Sequence, residues 1–119
     1  MSMKNISLPI TTNGSGAATV TAPTAVMGFL YAIEYRPGTI DTGATVTVTC
    51  EGRASKPLLT KASAGTSDSW YYPREEEHDV ADGSEFTTTA YPLLNGKPQV
   101  VIASGGATKA GFVELFYYE

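Results

Sequence analysis

His78 is the only histidine, so imidazole-based acid–base or metal chemistry would have to be built around it. It stands among Glu75, Glu76, Glu77 and Asp79, a density of carboxylates able to attract a divalent cation. The spacing is not that of a calcium loop, and one imidazole cannot make a multi-histidine site. Carboxylate runs of this kind form solvated segments, so no metal or cofactor site is assigned. Gly14-Ser15-Gly16 and Ser104-Gly105-Gly106 lack the strand–turn–helix setting that presents a nucleophilic serine. Asn95-Gly96-Lys97 has no upstream glycine of a phosphate loop and reads as a turn. Cys50, the only cysteine, falls in phase with Val46 and Val48, which predicts a packed thiol rather than a reactive one.

Asp41-Thr42-Gly43-Ala44 has the residue types of the catalytic loop of retroviral-type aspartic proteases. That chemistry needs two Asp41 carboxylates, one per subunit, sharing a proton around a water. The motif of that family leaves a buried strand, with aliphatic residues directly before the aspartate. Gly38-Thr39-Ile40 offers one aliphatic position after a Pro37-Gly38 break, and Val101-Ile102-Ala103-Ser104-Gly105 departs by two residues from the family's supporting segment. A hairpin-type turn is therefore expected at Asp41–Gly43, a dimeric protease is kept as a remote alternative, and no catalytic residue is assigned.

The aromatic residues point elsewhere. Trp70-Tyr71-Tyr72 and Phe116-Tyr117-Tyr118 put rings at successive positions, so in a strand both faces carry one. One face can be core; the other is covered by a further element, left at an edge, or used for contact. Exposed large aromatics are anchors of protein interfaces and of sugar-stacking platforms. Trp70, Tyr71, Tyr72, Phe116 and Tyr118 are the candidate interface residues, Trp70 foremost.

The elements that must position them are strands. Thr45, Thr47 and Thr49 alternate with Val46, Val48 and Cys50, which places the valines inward and the threonines outward. Phe29, Tyr31, Ile33 and Tyr35 alternate likewise and are expected on one face, paired antiparallel with the valine strand across the loop Pro37–Gly43. Val100-Val101-Ile102-Ala103 reads as a strand buried on both faces. It is expected to form a hairpin, through Gly105–Gly111, with a final strand whose Val113, Leu115 and Tyr117 share a face. Shorter strands are predicted at 6–12, 17–21, 57–61, 69–72 and 85–89, and Arg74–Asp79 could form a helical turn. Many short strands between turns predict an all-β, single-domain antiparallel sandwich or jelly roll over residues 1–119. Residues 1–26, poor in bulky apolar groups, are expected as an extended N-terminal arm and 27–119 as the core.

The 119 residues are 42% apolar and only 17% charged, with net charge −4 and pI about 4.9. That balance suits a folded domain with part of its surface against partners, and interface cores are depleted of charge in this way. Lys and Arg do not cluster, which argues against a nucleic-acid partner. No apolar run approaches bilayer-spanning length, and Met1–Ile10 has no signal-peptide apolar core, so no membrane partner is expected and synthesis in a cytoplasm is.

Gly28–Cys50, Ser69-Trp70-Tyr71-Tyr72-Pro73-Arg74 and Leu93–Gly106 resemble, in overall pattern over residues 27–119, the small β-rich virion proteins encoded among tailed-bacteriophage head and neck genes. The resemblance implies a structural protein of the virion, with capsid decoration (cement) on the assembled head as the leading role. It further implies the major capsid protein or other virion proteins as partners, homo-oligomers with a trimer favoured, and synthesis in the host cytoplasm. Its alternatives are a head–tail connector or tail component, or a carbohydrate-binding sandwich for host attachment.

Overall fold

The computed structural model describes residues 2–53 and 56–119. Among these residues, eleven strands and one 3-10 turn fold as a single all-β domain: β1 (Met3–Thr11), β2 (Ala18–Thr21), β3 (Val26–Arg36), β4 (Thr45–Cys50), the turn Glu51–Arg53, β5 (Leu59–Lys61), β6 (Ser69–Tyr71), β7 (Glu75–His78), β8 (Glu85–Ala90), β9 (Leu93–Gly96), β10 (Pro98–Ala103) and β11 (Ala110–Tyr118). The larger sheet has the order β1-β11-β3, with β6 and β9 side by side along the far edge of β3; the smaller has the order β2-β10-β4-β5. All pairs are antiparallel, and β7 and β8 form a separate two-stranded ribbon.

The two sheets pack face to face, as each must to bury its apolar side. Leu8, Ile10, Leu30, Ile33, Tyr35, Leu94, Val113 and Leu115 from the larger sheet meet Val46, Val48, Cys50, Val100 and Ile102 from the smaller. Ile40, Ala44 and Leu58 close the ends. The valine–threonine alternation of β4 turns out as its sequence predicts, with Val46, Val48 and Cys50 buried.

Four local expectations are corrected. Of the arm expected over residues 1–26, Met1 lies outside the described residues and residues 2–26 do not lie apart. β1 pairs with β11 along its whole length, and β2 pairs with β10. Leu8 and Ile10, spaced by two, supply enough apolar surface to hold β1 in the core. Secondly, β3 and β4 are not a hairpin, and neither are β10 and β11: each connection crosses from one sheet to the other. Thirdly, Arg74–Asp79 is not helical, since Glu75–His78 is strand β7. Lastly, β10 is not sealed on both sides: Pro98, Val100 and Ile102 are buried, while Gln99 and Val101 are half-exposed.

The phase of β3 is corrected as well. Phe116 lies opposite Ala32, but Tyr117 lies opposite Leu30, so Tyr31 is an extra residue in the ladder. One inserted residue flips every side chain on one side of it. Leu30 faces inward before the bulge and Ile33 and Tyr35 after it, while Phe29 and Tyr31 go outward. The bulge thereby turns two large rings from the core to the surface.

Candidate binding face

That surface is the outer face of the larger sheet. Direct cross-strand partners share a face, so Met3, Tyr118, Phe29 and Leu93 form one row across β1, β11, β3 and β9. Met27 lies beside it on β3, opposite Asn95. Trp70 enters from β6, opposite Glu34, and its ring stacks on Phe116 with centroids 5.2 Å apart. Tyr72 lies nearly parallel to Trp70, at 6.5 Å and 17°. Tyr31 meets Tyr72, Tyr118 and Tyr91 edge-on at 5.8, 5.7 and 6.1 Å. Six rings thus form one connected layer, in the offset and edge-to-face arrangements that aromatic quadrupoles favour.

Arg74 fixes one side of this layer. Its guanidinium carbon lies 4.4 Å from the centre of the Tyr91 ring, and its Nη1 donates to the Tyr31 carbonyl at 3.0 Å. A cation over a ring face is attracted by the ring quadrupole. At the other side, Arg36 covers Phe112 at 3.9 Å and reaches Glu114 at 2.6 Å; Asn5 donates to the other oxygen of Glu114. Glu34 stands 3.3 Å from Arg36 Nε, close enough for charge attraction though not aligned for a hydrogen bond. These contacts hold the charges at the margin and leave the centre aromatic. Trp70 is 48% exposed, Tyr72 54%, Phe29 45% and Leu93 48%. Contiguous exposed apolar surface of this kind makes the face a candidate interaction site.

Four of the five candidate residues, Trp70, Tyr72, Phe116 and Tyr118, come together here. Tyr71 does not: it lies opposite Ile33 and packs against the core, as alternation from Trp70 requires. Tyr31, Phe29, Leu93, Tyr91 and Met27 belong to the face but were not singled out. Tyr31 and Phe29 are hidden by the bulge, which has no sequence signature, and β9 is too short to show alternation.

The other chemistry-bearing residues lie apart. Asp41 is an exposed residue of the crossover from β3 to β4; its N–H donates to the Gly105 carbonyl at 2.9 Å and its own carbonyl closes a turn with Ala44 at 3.2 Å. Cys50 is buried in the core, and His78 lies on β7 with Nε2 3.8 Å from Glu85. Among the described residues no three His, Cys, Asp or Glu side chains gather as a metal-binding group. A cleft of about 330 Å³ lies at the base of the β7–β8 ribbon, lined in part by Arg53, Lys56, Arg74, Glu75, His78 and Glu85. Its charges are largely matched. Arg53 grips both oxygens of Glu75, and Lys56 stands 3.1 Å from one of them. The Arg53 hydrogen bonds, more than any other cause, hold the Glu75 carboxyl down at about 2.

No family model matches the chain, and no curated protein matches it. Among solved structures, an exo-β-1,3-galactanase from Phanerochaete chrysosporium, in its crystal structure with galactose, is similar at a TM-score of 0.36 and 14% identity. The match covers 98% of this chain and 30% of that one, so the chain spans under a third of the enzyme's length. A likeness at that score carries no argument about activity.

Proposed function

We propose that this chain is a structural binding protein of a phage virion, docking as a decoration protein on the assembled head through the outer face of its larger sheet. The observation that carries the docking is the connected layer of Tyr31, Trp70, Tyr72, Tyr91, Phe116 and Tyr118, aromatic at its centre and charged at its rim. That anatomy is the one protein interfaces favour. The virion setting rests on the sequence resemblance alone. A domain that binds the completed lattice and not its free subunits stabilises the lattice by mass action.

Co-sedimentation of the chain with purified phage heads, against unassembled capsid subunits, tests this reading. Trp70→Ala is expected to weaken head binding by about 30-fold, the effect of removing an interface anchor worth about 2 kcal/mol. Equal binding by Trp70→Ala and the unaltered chain, or no binding to heads at all, would overturn it.

One observation favours a second reading. The exposed, near-parallel Trp70 and Tyr72 rings offer a flat surface on which a pyranose could stack. Binding to a glycan array that Trp70→Ala abolishes, with head binding absent, would move the assignment to a carbohydrate-binding module.

A further inference from the structure

The free edge of the larger sheet has a structure of its own. β1 is the outermost strand, and no strand among the described residues pairs with its far side. The backbone bonds at its two ends fix which residues face outward. Thr12 N–H donates to Lys109 at 2.8 Å, and Glu119 N–H donates to Ser2 at 3.1 Å, in register with the β1–β11 ladder. In an antiparallel ladder the bonded positions recur every two residues. The even-numbered residues of β1 therefore bond to β11, while Met3, Asn5, Ser7 and Thr11 turn their N–H and C=O groups toward open space. Pro9 shares that outward phase. It has no N–H to offer, so it costs β11 nothing and closes the edge to any strand added beyond it. What remains is a short open ladder, Met3–Ser7.

We infer that this open ladder pairs with the same segment of a second copy, about a two-fold axis at Asn5. In that register Asn5 meets Asn5 and Met3 meets Ser7, so every pair uses outward-facing groups and six backbone hydrogen bonds form. Shifting the axis to Ile6 would set Met3 against Pro9, which forms no more than the same six bonds and leaves the Met3 carbonyl of each copy without a donor. The centred register also sets Lys4, the only charged residue of β1, against Ile6 rather than against its own copy, so no like charges oppose. Met3, Lys4, Asn5 and Ser7 are all exposed, so nothing among the described residues shields the ladder. The same surface on both partners makes the contact isologous, giving a closed pair where the sequence resemblance implies a trimer. The two larger sheets become one continuous sheet with both aromatic faces on the same side. The inference stands on backbone geometry and does not require those faces to bind anything.

The test uses Ser7→Pro, which repeats at position 7 what Pro9 already does two residues on. It removes an outward N–H and leaves every bond to β11 in place. Light scattering on the unaltered chain is expected to give twice the 12.6 kDa of one chain, and Ser7→Pro to give one chain with the same cooperative melt. Trp70→Ala should stay paired, which separates this contact from the proposed docking face. Hydrogen exchange is a readout independent of any variant: the Asn5 and Ser7 amides should become protected as concentration rises about a hundredfold. A single-chain mass throughout with no such protection, a trimer mass, or a pair that survives Ser7→Pro would each overturn the inference. So would protection appearing only when a different protein is added.

Discussion

At the scale of single residues, the face and the cleft show opposite uses of charge. On the face, Arg74 and Arg36 lie over rings and keep polar groups at the margin. In the cleft, Glu75 is caught between Arg53 and Lys56 and ties the 3-10 turn to the β7–β8 ribbon. The Glu75 carboxyl is depressed from 4.5 to about 2 in the folded chain, so the unfolded state binds its proton first as pH falls. Its stabilisation is therefore complete above pH 4.5 and disappears as pH falls through about 2. Glu75→Gln should cost about 1.5–3 kcal/mol at neutral pH, because it leaves the mostly buried Arg53 guanidinium without its charged acceptor. Urea unfolding of the two proteins at neutral pH and again near pH 2 checks this, with the difference expected to vanish at the acid end.

At the scale of elements, the decisive strand is the one that composition disguised. Met3–Thr11 carries Ser, Thr, Asn and Pro, yet Leu8 and Ile10 reach the core and every residue of the strand has a partner on β11. Deleting Met3–Thr11 should abolish the cooperative thermal transition, since it strips one edge of β11 and opens the core at two fully buried side chains. A truncated chain that still melts cooperatively would return this segment to the status of an arm. Strand existence was legible wherever β-branched alternation was strong, as in β4, or wherever turn residues bracketed a run, as in β5, β6 and β8. Strand pairing was not. Gly38 and Gly105-Gly106 signal a reversal of the chain, but a reversal within a sheet and a crossing between sheets use the same turn chemistry. The candidate face was half legible: adjacent rings at 70–72 and 116–118 announced that one set must point outward. The bulge at Tyr31 decided which further rings joined them, and it follows from packing between strands rather than from any local propensity.

At the scale of the whole molecule, the larger sheet is assembled from the two ends of the described chain. β11 lies between β1 and β3, so Ala110–Tyr118 is the strip through which the first and third strands are joined. Neither can bond to the other without it. A chain ending at Gly106 should therefore show no cooperative folding, even though it contains ten complete strands and every strand of the smaller sheet; amide exchange without protection in β3 would show this directly. During synthesis the same geometry imposes a delay. A nascent chain has the apolar side chains of β1 and β3 synthesised well before the strip that lies between them has been translated. The larger sheet closes in one late event rather than growing strand by strand, and in that interval the rings of its outer face have no fold to hold them in place.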